Sequence, residues 1–168
     1  MKVFCRSALC VVIAVPVCGL LGCAVLMKPV RMTGLAAKDL TVQVTIDAGA
    51  NQDSVVAADV VAVDDKKVLG EVSAMTATQW FAKKNDMIRM KGKDLKIVSW
   101  EFVPGTIVPD QHLTVTIGKT GVILFANYAG KGEHRATLPQ TGRVQVDFGA
   151  DDFAVHLPKE TSDATPTQ

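Results

Sequence analysis

His112, His134 and His156 are the imidazoles available for chemistry in this 168-residue sequence. Three histidines could gather around zinc, but no His-x-His or His-x-x-x-His spacing puts two of them on one face of one element. They fall on three separate strands of the pattern described below, as surface or strand-edge residues. No Gly-x-Ser-x-Gly elbow offers a nucleophile. The "GKTG" at 118–121 lacks both the preceding loop and the following helix of a phosphate cradle, and reads as a turn. Asp64-Asp65 and Asp151-Asp152 sit at strand ends without the loop spacing and closing glutamate of a calcium site. These residues point away from an enzyme, and no metal or cofactor is expected.

Cys23 is different. It ends an apolar run, residues 8–22, that is shorter than the roughly 20 residues a helix needs to cross a bilayer. The run contains Pro16, Gly19 and Gly22, is preceded by Lys2 and Arg6, and no acid appears before Asp39. A basic start, an apolar centre and small residues at the exit make a secretory signal. Leu20-Leu21-Gly22-Cys23 resembles the bacterial lipobox, in which the cysteine is acylated and cleavage falls just before it. The alternative is an ordinary signal peptide, or a weak anchor, with an accidental cysteine. Ala24 follows the cysteine, not aspartate, and by the bacterial sorting rule that resemblance implies the outer membrane. On this reading 1–22 is removed and 23–38 is a lipidated linker. Of the 18 basic residues Lys2 and Arg6 are lost, leaving 16 against 17 acids, a formal net charge of −1. Near-neutrality without a basic block excludes nucleic acid as the expected partner. Cys5, Cys10 and Cys18 are lost too, so the mature domain has neither a disulfide nor a thiolate site. A covalent lipid on Cys23 would anchor it, since each buried methylene contributes about 0.8 kcal/mol and stable attachment takes more than one chain.

The remaining chain must form one domain, expected over 39–157, with a mobile Pro/Ser/Thr tail at 158–168. Its dominant period is two. In "LTVQVTID" (40–47) apolar and polar residues alternate as in a half-buried strand. The turn-rich "AGANQDS" follows, and then "VVAADVVAV" (55–63), apolar enough for a central strand buried on both faces. Further strands fit 94–103, 111–117, 122–128, 143–148 and 153–157, with "HRATL" (134–138) as another. Gly118-Lys119-Thr120-Gly121 serves as a hairpin turn. Seven or eight strands at this spacing predict an antiparallel two-sheet β-sandwich. One stretch breaks the period: Val68, Leu69, Val72 and Met75 recur at helical spacing, and Thr76 with Gln79 forms a capping-box pattern for a second short helix. Trp80 and Phe81 would anchor that helix on the sandwich; the alternative is an exposed aromatic pair for a ligand.

The order of these features resembles the outer-membrane lipoprotein family of type VI secretion systems (TssJ-like). A lipobox leads to "LTVQVTIDAG", a turn with Asn51 and Asp53, and the apolar "VVAADVVAV". "SWEFVPG" is similar to that family's acidic, apolar, Pro-Gly segment, and "VILFANY" to its strand ending in tyrosine. The similarity covers roughly residues 40–128. Gln52 stands where the family often has proline, and Ala129 where arginine is common. The resemblance implies a mainly β, transthyretin-like sandwich with one or two short helices after the second strand. It implies a periplasmic tether that binds the periplasmic part of a large inner-membrane secretion subunit. The family's contact loop after the first strand corresponds here to Ala48, Gly49, Ala50, Asn51, Gln52, Asp53 and Ser54. Asn51 and Asp53 could equally serve only to satisfy backbone groups in a turn.

Two other classes of function remain open on sequence. A small-ligand- or lipid-binding envelope lipoprotein would need a sizeable apolar cavity, between the sheets or under Trp80 and Phe81. An envelope hydrolase would need His112, His134 and acids to converge; a hydrolase inhibitor or pilot-like protein would not.

Overall fold

The computed structural model describes residues 37–116 and 121–158. The signal segment, Cys23, the linker up to residue 36, most of the expected 118–121 turn and the tail from 159 lie outside the described residues.

The order of elements is β1 (Ala37–Ile46), β2 (Val56–Val63), α1 (Lys66–Ser73), α2 (Ala77–Lys91), a single 3₁₀ turn, β3 (Leu95–Phe102), β4 (Gln111–Thr116), β5 (Gly121–Asn127), β6 (Arg135–Leu138), β7 (Gly142–Phe148) and β8 (Phe153–His156). They make two four-stranded sheets, β4-β1-β7-β8 and β3-β2-β5-β6. This is the expected mainly β sandwich with two helices after the second strand. The expectation of purely antiparallel sheets needs correcting, because β1 and β7 pair in parallel, Leu40 opposite Gly142 through Ile46 opposite Phe148. The reason is parity. Every connection returns the chain, and the α1–α2 hairpin restores it to the end it left, so strand direction alternates throughout. Two odd-numbered strands that become neighbours must then run the same way.

The layers follow from side-chain alternation. Leu40, Val42, Ile46, Val144, Val146 and Phe148 project from the first sheet onto Val56, Ala58, Val60, Val122, Leu124 and Ala126 of the second. The opposite residues of β2 and β5, Val61, Val63, Ile123 and Phe125, are covered by Val68, Val72, Trp80 and Met87 of the helices. That double cover explains the near-continuous apolar run of β2. The outer face of the first sheet carries Thr41, Gln43, His112, Arg143, Gln145 and His156, the polar half of the two-residue period. The open edge of β4 is closed in part by Lys96 of β3, whose Nζ donates to the Thr114 carbonyl at 2.6 Å, a charged residue placed where a bare strand edge would invite pairing.

Both helix starts are written in the sequence. The Asp65 carboxylate accepts the Lys67 and Val68 amides at 2.8 and 2.9 Å. The Val68 N–H above all, with the Lys67 N–H, holds the Asp65 carboxyl below its usual range against a smaller opposing effect of burial. The Thr76–Gln79 capping box is present in both directions. The helix it starts is 15 residues long rather than short, because Trp80 and Met87 keep the same face seven residues apart.

Trp80 is the pivot of the helical layer. It is fully buried, stacks on Phe125 with centroids 5.2 Å apart, and donates its indole N–H to Asp59 Oδ2 at 2.8 Å. The reading of Trp80 and Phe81 as an exposed ligand-binding pair is thereby overturned. Asp59 is 1% exposed in the middle of β2. Lys84 Nζ lies 2.8 Å from its Oδ2 and 3.0 Å from its Oδ1, and also donates to Ser99 Oγ at 2.8 Å. The sequence reading passed over Asp59; a lone acid inside an apolar strand was the available signal, since a buried charge needs a partner.

Strand alternation also divides the domain into two ends. The chain enters β1 at Ala37 at one end, where α2 also finishes. The β1–β2, β3–β4, β5–β6 and β7–β8 connections all gather at the other.

Candidate protein-docking site

The β1–β2 loop stands at the centre of the loop end. Asn51, Gln52 and Asp53 adopt φ values of 49, 55 and 61°, three successive non-glycine residues in the left-handed region. Each such residue costs about 1–3 kcal/mol unless its surroundings fix it, least for Asn and Asp. The fixing is visible. Asn51 is 4% exposed; its Oδ1 accepts the Ala129 amide at 2.7 Å and its Nδ2 donates to the Val55 carbonyl at 3.0 Å. The Asn51 amide donates to Gly149 O, and Gly105 N–H donates to Asp47 O. Gly105 is itself left-handed, and a Cβ there would come within 3.4 Å of the Ala48 backbone. All four connections at this end are therefore stitched together around one pre-formed loop.

Of the seven loop residues expected to meet a partner, the structure exposes Ala48, Gly49, Gln52, Asp53 and Ser54 and buries Ala50 and Asn51. Asn51 satisfies backbone groups, as the turn reading required. Asp53 makes no hydrogen bond or salt bridge among the described residues, and its carboxylate faces solvent.

Behind the loop lies a cluster the sequence did not disclose. His134 was expected on a strand at the surface; it instead precedes β6, is 3% exposed, and takes a left-handed φ of 42°. Its Nδ1 lies 2.9 Å from Asp152 Oδ1 and its Nε2 3.1 Å from Gly130 O. The ring stacks on Tyr128 at 4.9 Å, and a Cβ at Gly132 would sit 2.5 Å from it. The imidazole thus fills a slot between Tyr128 and a required glycine. His112 and His156 remain on the outer face of the first sheet, contacting Thr41 and Asp147. The three do not converge, and among the described residues no group of three His, Cys, Asp or Glu side chains is placed to hold a metal.

Tyr128, the single tyrosine of the sequence, is 5% exposed, with its hydroxyl enclosed beside the Gly149 backbone. Burial, then the charges of Asp152 and Asp47, push the phenol well above its ordinary pKa of 10.0. A raised phenol keeps its proton longer folded than unfolded, so the associated stability is intact below 10.0 and is lost as pH rises beyond it. Tyrosinate absorbance is expected to stay flat to about pH 11 and then appear together with loss of the β-sheet circular dichroism. An ordinary phenol titration with the sheet signal unchanged would put the hydroxyl in water.

No protein-family model and no curated protein matches the sequence. Solved structures do. Lip from Serratia marcescens, described as a membrane-bound component of the type VI secretion system, superposes with a TM-score of 0.56 at 12% identity, covering 73% of this chain and 99% of that one. The type VI lipoprotein TssJ1 of Pseudomonas aeruginosa gives 0.52 at 13% identity, over 72% of this chain and 96% of its own. A chain of a type VI membrane complex gives 0.52 at 12%, over 73% and 100%. This chain has the TssJ-like sandwich fold.

Among the described residues, the space between the two sheets is occupied by buried core side chains. The clefts lined by Val60, Val98 and Leu113, by Ser73 and Arg135, and by Gln43 and His156 hold about 160, 210 and 120 Å³, each below the roughly 300 Å³ at which small-molecule pockets begin. The space under Trp80 is occupied by Phe125. No helix among the described residues is long and apolar enough to cross a membrane.

Proposed function

We propose that this chain is an outer-membrane lipoprotein, held by acyl chains on Cys23, whose sandwich binds the periplasmic part of a large inner-membrane secretion subunit and helps station a type VI secretion complex across the envelope. The observation that carries the reading is the β1–β2 loop. Three consecutive left-handed residues are held in place by buried Asn51 at the end of the domain away from Ala37. Strain kept at an exposed loop is typical of recognition elements on rigid scaffolds. The fold shared with Lip and TssJ1 and the Leu-Leu-Gly-Cys motif support the same assignment. Lipid supplies the anchor, the linker supplies reach, and the loop supplies recognition.

The Cys23→Ser variant is expected to shift the protein from the membrane to the soluble fraction on cell fractionation, with the sheet circular dichroism unchanged. A wild-type protein that is soluble without detergent would contradict the anchor. The partner is tested by capturing the acylated protein from gently solubilised envelopes and identifying co-purifying chains by mass spectrometry. A large inner-membrane secretion subunit is the expected companion; recovery of only lipid or a small molecule would overturn the tether. Binding variants belong at Gln52 and Asp53, because removing Asn51 would unmake the loop.

A further inference from the structure

The four connections at the loop end carry Asp47, Asp53, Asp110, Glu133, Asp151 and Asp152, against Lys131 as their one lysine or arginine. Asp152 is engaged by His134, Glu133 by Arg135, and Asp110 by Gln43. Asp47, Asp53 and Asp151 are exposed and have no salt bridge among the described residues. The chain as a whole is near neutral, so this is an asymmetry of placement, not of composition. The far end is mixed in sign, with Lys66, Lys67, Arg89, Lys91 and Lys93 standing among Asp64, Asp65, Asp86 and Asp94 around the start of α1 and the finish of α2.

A second feature sets the acidic end apart. Three large apolar side chains also stand out at the same end: Val55 and Val103, which flank the paired residues Val56 and Phe102, and Ile107, 99% exposed on the β3–β4 connection. Exposed apolar side chains and unpaired carboxylates on the same set of connections are the two ingredients of a protein contact, an apolar centre and a charged rim, rather than of a small-cation site.

We propose that the loop end is an electrostatic docking face for a basic protein surface, with Ile107, Val103 and Val55 as its apolar centre and Asp47, Asp53 and Asp151 as the steering rim. The inference rests on the tether reading and adds the chemistry of the partner: its docking patch carries lysines and arginines. Exposed rim charges act mainly on the association rate, and their effect fades as salt shortens the Debye length.

The test uses the full chain with Cys23→Ser, so that acyl chains do not mask binding. The probe is the purified periplasmic domain of the inner-membrane secretion subunit from the same genome. Two double variants of equal charge change are compared. Asp53→Asn with Asp151→Asn neutralises the loop end, and Asn tolerates the left-handed backbone at position 53. Asp64→Asn with Asp86→Asn removes the same number of negative charges away from the loop end. The loop-end variant is expected to associate about tenfold more slowly, the control within about twofold of wild type, and wild type to slow about tenfold between low salt and 0.5 M. Binding that is tight, independent of salt and equal in both variants would overturn the electrostatic face and leave the tether standing. Absence of binding at every salt would overturn the tether; an oligolysine peptide then decides the face. Oligolysine binding lost selectively in the loop-end variant supports it, and equal binding or none overturns it. Head-to-tail association of wild type in sedimentation, abolished by the loop-end variant, would reassign the face to a second copy of this chain and overturn the proposal.

Discussion

Replacing Trp80 with alanine is expected to destabilise the domain by about 3–5 kcal/mol, near the top of the range for a single core truncation. Three losses coincide. The indole is fully buried between α2 and the second sheet, its stack on Phe125 disappears, and Asp59 loses a donor inside the sheet. Small domains have about 5–15 kcal/mol in total, so much of the population should be unfolded or poorly packed at growth temperature. Urea unfolding followed by circular dichroism would read it as a large fall in midpoint. Trp80→Phe separates the contributions, since it keeps a ring against Phe125 but still deprives Asp59 of the indole N–H. A loss under about 1 kcal/mol for the alanine variant would mean that α2 is not fastened to the sheet as described.

Asp59→Ala is expected to be nearly as damaging, by about 3–5 kcal/mol, although it removes a charge from a core. The Trp80 N–H would be left facing an apolar strand, and the Lys84 ammonium would keep only Ser99 Oγ. The Lys84 side chain is 24% exposed, so it can turn toward water and recover part of the cost. The double variant Asp59→Ala with Lys84→Met should therefore be less destabilised than the sum of the singles, with a coupling of about 0.5–3 kcal/mol. Strict additivity in that cycle would show the pair to be a bystander. Asp59→Asn keeps an acceptor for Trp80 and should fall between wild type and alanine.

These two residues show what the sequence made legible. The strands of the sandwich follow from alternation, a local property that survives whatever the sheets do; Leu40, Val42 and Ile46 point inward as the period demands. The burial of β2 on both faces followed from the apolar run of 55–63, and the start of α2 from Thr76 and Gln79. Asp59 was missed because its meaning lies 21 and 25 residues away, in Trp80 and Lys84. His134 was misplaced for the same reason: it is buried by Tyr128, Gly132 and the Asp152 carboxylate, which no period connects. The parallel β1–β7 pair could have been derived, since alternating direction forces it once two odd strands adjoin, but which strands adjoin is a long-range fact. At the loop, Asn51 and Asp53 were both read as turn formers that could meet a partner. The structure separates them, with Asn51 turned inward to hold the backbone and Asp53 turned outward.

The central position of β1 has a mechanical consequence. The chain enters β1 at Ala37, and β1 is bonded to β4 over Ala37–Val42 on one side and to β7 over Leu40–Ile46 on the other. A pull applied through Ala37 while the opposite end is held runs along the strand axis, so it loads both ladders in shear, with many bonds sharing the force. An edge strand pulled sideways would instead peel open one bond at a time. The arrangement is that of a clamped cord, suited to carrying tension from one end of the sandwich to the other without unravelling it.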